Sequence, residues 1–259
     1  MADPIITLTT DFGEDSPYVA AMKGVILTIN PEVRIVDLSH QIPPQDLRHA
    51  AFFLAESLPW FPADAIHVAV IDPGVGSERA LLYVEMECTR LLVPDNGCWT
   101  ILQGQLRRVI QLRNKQYWRE EVSNTFHGRD ILAPVAAHLS RGVDPSLCGP
   151  LVKDWQRFEI PAPHRLPDVL TGEVIFVDRF GNTITNIPGD WVPAHVDSVQ
   201  VGESERRQLD RVRAYADRAP GQLIGLISSS GLFELAVVQG NAAARLGARI
   251  GTPVFLRVK

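Results

Sequence analysis

The sequence predicts an α/β protein of two domains: an open, largely parallel sheet with helices over residues 1–160, then a smaller, mostly β domain over 161–259. Three observations carry this. Short β-branched runs alternate with segments of helical period through the N-terminal half, the rhythm of strand–helix–strand units. The run Ala65–Ile71 is apolar without alternation, as in a strand covered on both faces. Past the proline-rich stretch Pro161, Pro163 and Pro167, which reads as a linker, helical period fades and short apolar runs separated by turn residues take over.

In chain order, Ile5–Thr10 reads as a strand ending in Asp11-Phe12-Gly13. Ser16 then Pro17 gives an N-cap followed by proline at the first helical position, and the helix should end near Ile29, where Asn30-Pro31 stops it. Arg34–Leu38 is the next strand. A second helix spans about Gln45–Ser57, with Leu47, Ala50, Ala51, Leu54 and Ala55 at helical spacing. After the Ala65–Ile71 strand come Asp72-Pro73-Gly74-Val75-Gly76, strands at Leu81–Met86 and Leu91–Val93, and a helix over about Arg129–Ser140. The second domain offers strands at Gly172–Val177, Val196–Val201, Leu223–Ser228 and Pro253–Val258, with Leu235–Ala248 read as one broken helix.

Composition narrows the class. Of 259 residues, 46% are hydrophobic and 21% charged, near the globular average, which excludes disordered and fibrous chains. The net charge is −5, from 25 basic and 30 acidic side chains, with no basic stripe of the kind a nucleic-acid binder carries. No apolar run approaches the roughly 18 residues that cross a bilayer, and the N-terminus lacks the basic and apolar regions of a secretory signal. Cys88, Cys98 and Cys148 form neither an even framework nor a C-x-x-C pair, which fits a reducing compartment. The expectation is a cytoplasmic protein without nucleic-acid or membrane partners.

In open α/β sheets ligands bind beyond the carboxyl ends of strands. Three predicted strands end in polar turns: Thr9-Thr10-Asp11-Phe12-Gly13, Asp37-Leu38-Ser39-His40 and Asp72-Pro73-Gly74-Val75-Gly76. Asp11 has the chemistry to accept hydrogen bonds from two vicinal ribose hydroxyls, or to cap the following helix. Pro73–Gly76 matches neither GxxxxGK[ST] nor GxGxxG, so a phosphate loop is not supported. Arg79, seven residues after Asp72, can turn back onto it as an ion pair. His127 sits in Phe126-His127-Gly128-Arg129-Asp130, just before a helix. No zinc spacing and no G-x-S-x-G elbow occurs, so neither a metal site nor an ordinary serine hydrolase is expected. In the second domain, Val177-Asp178-Arg179-Phe180-Gly181-Asn182-Thr183-Ile184-Thr185-Asn186 and Ser228-Ser229-Ser230-Gly231-Leu232-Phe233-Glu234, the latter followed by Gly240-Asn241-Ala242-Ala243, are dense in polar and glycine residues. Both have the character of hairpin turns, and Phe180 or Phe233 has the ring to stack on a base.

Taken together, T-T-D-F-G, D-L-S-H-Q-I-P-P, I-D-P-G-V-G-S-E-R, F-H-G-R-D, D-R-F-G-N-x-x-T-N and S-S-x-G-x-x-E-L-A with G-N-A-A resemble the S-adenosyl-L-methionine hydrolases, also called S-adenosyl-L-methionine hydroxide adenosyltransferases, relatives of the fluorinating and chlorinating enzymes. The resemblance covers nearly the whole chain, in order. It implies a Rossmann-like α/β N-terminal domain, a small β-barrel C-terminal domain, and a homotrimer with the substrate held between subunits. It also implies attack of water on the ribose 5′ carbon, giving adenosine and L-methionine, with no cofactor because S-adenosyl-L-methionine is the substrate. By motif, the residues serving the water fall on Asp72, Arg79 and His127. The ribose contact falls on Asp11, the methionine ammonium contact on Asp178, an adenine contact on Asn182 and a methionine carboxylate contact on Ser229, where three consecutive serines leave the register open by one. Two other readings use the same residues: a nucleoside- or S-adenosylmethionine-binding sensor without turnover, and a halide-using adenosyltransferase, against which the charge of Asp72 argues.

Overall fold

The structure, a computed structural model, describes residues 3–258. The chain divides between Phe158 and Glu159 into two compact units.

The first unit is a six-stranded sheet of β1 (Ile5–Thr10), β2 (Arg34–Ser39), β3 (Ile66–Val70), β4 (Leu81–Met86), β5 (Arg90–Pro94) and β6 (Leu106–Gln111), in the order β2-β1-β3-β5-β4-β6. Strands β2, β1, β3 and β5 are mutually parallel, and β4 runs antiparallel to both neighbours. β3 is buried along its whole length, as its unalternating apolar composition requires. The period of two then deals its side chains to two cores. Ile66, Val68 and Val70 face a cluster with Met22 and Ile26 of α1 (Pro17–Ile29) and Val135 and Leu139 of α3 (Ala133–Ser140), while Ala69 and Ile71 join Ala50 and Leu54 of α2 (Leu47–Ser57).

Several element ends differ from the sequence expectation. α2 begins at Leu47, because Asp46 accepts from the His49 N–H at 2.9 Å and caps the helix there. Ser16 occupies the N-cap position of α1, but its hydroxyl donates back to the Phe12 carbonyl at 3.0 Å and caps nothing. The helix expected from Arg129 starts as a π-helical turn, Gly128–Leu132, before α3. β6 was not expected; its outer half is charged and exposed, so it shows no strand pattern.

The second unit is a nine-stranded, nearly closed barrel-like sheet of β7 (His164–Arg165), β8 (Val169–Val177), β9 (Thr183–Pro188), β10 (Ser198–Val201), β11 (Arg207–Gln208), β12 (Asp210–Arg211), β13 (Leu223–Ile227), β14 (Leu232–Val237) and β15 (Pro253–Arg257). They lie in the order β11-β10-β15-β8-β9-β14-β13-β12, with β7 on β8. The broken helix expected at Leu235–Ala248 is instead the end of strand β14, a turn, and the five-residue helix α4 (Ala242–Leu246). Leu235, Ala236 and Val237 are all buried, and a strand covered on both faces carries no periodicity to distinguish it from a helix.

Candidate active site

β1, β2 and β3 are adjacent and parallel, so their three polar endings collect at one edge of the first unit. Thr10 pairs with Val70 across β1 and β3, which places Asp11 and Asp72 on neighbouring strand ends. Asn96 Nδ2 donates to the Ile71 carbonyl at 2.8 Å and braces the backbone just before Asp72. Arg79 folds back across the turn and grips Asp72 with two parallel bonds, Nε to Oδ1 and Nη2 to Oδ2, both side chains being nearly buried. The same Nη2 lies 3.3 Å from His127 Nδ1. A guanidinium has only donors, so Nδ1 presents its lone pair and the imidazole proton sits on Nε2. Burial, and then the charge of Arg79, hold His127 below the usual histidine range, so the ring is neutral near pH 7. Cys98 is fully buried beside this carboxylate; burial and Asp72 push its thiol up to about 12, which leaves it inert.

His127 is delivered by an unusual backbone. It precedes the π-helical turn, in which the Ala133 N–H reaches the Gly128 carbonyl. Gly128 allows close packing here: a Cβ would stand 3.1 Å from Val70 at the end of β3 and 3.4 Å from the Met22 sulfur, a tight fit that the neighbours would have to shift to admit. Asp130, completely buried, anchors the preceding loop: it accepts from Arg119 Nη1 at 2.7 Å, the Ser123 N–H at 2.9 Å, and both Nε and Nη2 of Arg129. Burial alone would raise its carboxyl, and the bonds from Arg129, Ser123 and Arg119 overcome this and hold it below the usual range.

Asp11 does not cap α1. Its Oδ2 accepts from the Gln45 N–H at 2.9 Å, and Gln45 holds the left-handed conformation (φ 64°) to present that group. The loop is tied to His127 by rings: Phe12, Tyr18 and Phe126 meet pairwise edge-on at 5.2–5.7 Å, with the Arg129 guanidinium over Phe126. Asp11, Asp72, Arg79 and His127 thus belong to one braced edge.

In the second unit, Asp178, Phe180, Asn182, Tyr215 and the segment Val237–Gly240 line a cavity of about 490 Å³. Asp178 organises the β8–β9 turn, its Oδ1 accepting from the Phe180 and Asn182 N–H groups and its Oδ2 from Asn182 Nδ2 at 2.9 Å. Gly181 packs directly on Asn241, where a Cβ would stand 2.1 Å from the amide, so the D-R-F-G-N and G-N-A-A segments lie together. Phe180 is 78% exposed and free to stack, whereas Phe233 is wholly buried in the barrel core. The expectation that either ring could cover a base is corrected to Phe180 alone. Ser229 stands exposed at the β13–β14 turn, while the Ser228 and Ser230 hydroxyls pair at 2.8 Å.

Comparison with known proteins now adds to the geometry. Residues 6–149 match the SAM hydroxide adenosyltransferase N-terminal domain and residues 172–255 the C-terminal domain. The chain belongs to the SAM hydroxide adenosyltransferase family. A relative from Salinispora tropica, named (R)-S-adenosyl-L-methionine hydrolase, is 38% identical, with 96% of this chain and 95% of that protein covered. A fluorinase from an Actinoplanes species is more distant, at 26% identity over 71% of this chain and 72% of that protein. The crystal structure of an uncharacterized conserved protein from Thermotoga maritima superposes with a TM-score of 0.91 at 32% identity, covering 97% of this chain and 99% of that one.

Three contributions escaped the sequence reading. The Phe12–Tyr18–Phe126 cluster joins segments more than a hundred residues apart, and the Asp130 anchor is a wholly buried charge that no local pattern marks. Tyr215 lines the second-unit cavity and donates to buried Glu234 Oε1 at 2.7 Å. The only advance signal was Glu234 itself, an acid in an otherwise apolar strand, whose carboxyl burial now pushes up. Among the described residues no group of three His, Cys, Asp or Glu side chains is placed to hold a metal ion, and no helix is long and apolar enough to cross a membrane.

Proposed function

We propose that the protein hydrolyses S-adenosyl-L-methionine to adenosine and L-methionine, with water attacking the ribose 5′ carbon. The observation that carries this is the Asp72–Arg79–His127 arrangement at the carboxyl edge of β1 and β3, in a chain of the SAM hydroxide adenosyltransferase family. The leaving group is a sulfonium that departs as a neutral thioether, so no acid is required on that side. The nucleophile is the difficulty, because water is a poor one. In the tautomer described, His127 offers Nε2–H and Arg79 offers guanidinium N–H groups, both donors suited to an oxygen that gains negative charge. Asp72 keeps a second lone pair on each oxygen with which to take a hydrogen bond from that water and turn its other lone pair toward carbon. Held opposite the sulfur within roughly 3–3.5 Å, the water forms its bond to C5′ as the C5′–S bond breaks and its electron pair leaves with the sulfur. The water's proton passes along its hydrogen bond to Asp72 and on to solvent. Asp11 takes the ribose hydroxyls; Asp178, Asn182, Ser229 and Phe180 serve the methionine and adenine ends. We further propose a cytoplasmic homotrimer that needs no cofactor.

Charge balance supplies the test. The cationic substrate and water become neutral adenosine, zwitterionic methionine and one proton. Turnover in weakly buffered solution should therefore release one proton per adenosine formed, independent of added chloride or fluoride. A halide-dependent loss of substrate without proton release contradicts the hydrolytic reading.

A further inference from the structure

The D-L-S-H segment of β2 contributes nothing to the steps above, yet it carries a continuous polar chain into the Asp11 loop. His40 is 8% exposed, and its Nδ1 lies 3.0 Å from the hydroxyl of Thr10, which is completely buried. Its Nε2 faces Asp37 Oδ1 at 3.0 Å, off the line of an ideal hydrogen bond, and the other Asp37 oxygen accepts from Lys23 Nζ at 2.5 Å. Side chains three apart on a regular strand point to opposite faces. Here the β1–β2 register slips, Leu8 pairing with Asp37 and Thr9 with Ser39, and the extra residue Leu38 brings Asp37 and His40 to the same side.

The hydrogen-bond polarity has one consistent direction. The carboxylate beside Nε2 keeps the ring proton there, which leaves Nδ1 to accept from Thr10 Oγ1–H. The Thr10 oxygen then accepts from the Phe12 N–H at 3.3 Å, and the His40 carbonyl accepts from the Gly13 N–H at 2.8 Å. Residues on both sides of Asp11 are thus held through His40, while Gln45, in its left-handed conformation, holds the Asp11 carboxylate from across the loop.

We infer that His40 and Thr10 are positioning residues that set Asp11 to read both ribose hydroxyls. The inference rests on the assignment of Asp11 to the ribose. Neither side chain is required to touch substrate. Their loss should fall on ribose recognition and leave the chemical step to the Asp72 trio.

The test is calorimetric binding of adenosine and 2′-deoxyadenosine to the wild type, Thr10→Val and Thr10→Ser. Valine keeps the shape of threonine in a buried site and removes only the hydroxyl; serine restores it. The wild type should prefer adenosine by about tenfold or more, the range of a hydrogen bond to a charged group. Thr10→Val should compress this to about threefold or less and raise KM far more than it lowers kcat, while Thr10→Ser keeps the preference. Asp37→Asn, at the partly exposed end of the chain, should compress the preference in the same direction and serves if Thr10→Val does not fold. Equal discrimination by wild type and variants overturns the positioning role and leaves Asp11 as the ribose contact. A wild type that binds adenosine without preferring it over 2′-deoxyadenosine overturns the Asp11 assignment and the positioning role with it.

Discussion

The charged edge of the first unit and the cavity of the second are built in opposite ways. Asp72, Arg79 and His127 come from two segments far apart in sequence, and each is locked by other side chains: an Asn96 brace, a bidentate ion pair, an Asp130 anchor and a cluster of rings. The cavity is lined mainly by one hairpin turn and one neighbouring segment, and Asp178 holds that turn by bonding its own backbone. The first gathers buried and braced charges; the second exposes a ring face, an amide and one carboxylate. Under the proposed function this contrast becomes a division of labour, with reaction and the ribose contact on the braced edge and the adenine and methionine contacts in the turn.

The largest effect should come from Arg79→Ala, which removes a donor from the nucleophile and leaves Asp72 unpaired. A loss in kcat of about 10²–10³ is expected, with adenosine affinity changed by less than about threefold. A parallel loss of adenosine binding would break the division.

Acid stability should separate the units next. Buried His67, whose Nδ1 meets the Thr7 hydroxyl at 2.8 Å, has its pKa lowered by burial to about 4. Between about 4 and the ordinary 6.5 the unfolded chain binds a proton that the folded one refuses, so stability falls as pH falls through that window, by roughly 3 kcal/mol in all. The second unit's histidines, His164 and His195, are exposed, and among its described residues no imidazole is buried. Urea unfolding at pH 7 and pH 4.5, followed by fluorescence, should show the first unit, with Trp60, Trp99, Trp118 and Trp155, losing more stability than the second, and His67→Gln should reduce the difference.

Phe180→Ala should raise KM about tenfold with little change in kcat, the usual cost of removing a ring from beneath a base. A fall in kcat of the same size would assign Phe180 to the reaction. The smallest effect concerns pH. Since burial and Arg79 lower the pKa of His127, kcat/KM should hold as pH falls through 6.5 and decline only below it, as the ring is protonated. An acid limb at or above 6.5 would contradict a neutral His127 facing Arg79.

Much of this was legible in the sequence where the physics is local. The unalternating run at β3 announced a strand buried on both faces, and Pro17 announced a helix start. The polar endings of β1, β2 and β3 were visible, and the sheet order then set them side by side. β14 was misread because its buried residues cover both faces, and β9 because Thr183–Asn186 carries turn-forming residues although the turn itself spans Asp178–Gly181. Phe12 meeting Phe126, Asp130 receiving Arg119 and Tyr215 reaching Glu234 are long-range contacts with no local pattern. Asp72, Arg79 and His127 could be named from motifs, but the groups that hold them in place could not.

The most direct test of the account is turnover of S-adenosyl-L-methionine in water enriched in heavy oxygen, with mass spectrometry of the nucleoside. Adenosine carrying one heavy oxygen at its 5′ position is the predicted result. Unchanged substrate under conditions where binding is demonstrated, or a nucleoside without the heavy oxygen, would contradict water attack at that carbon.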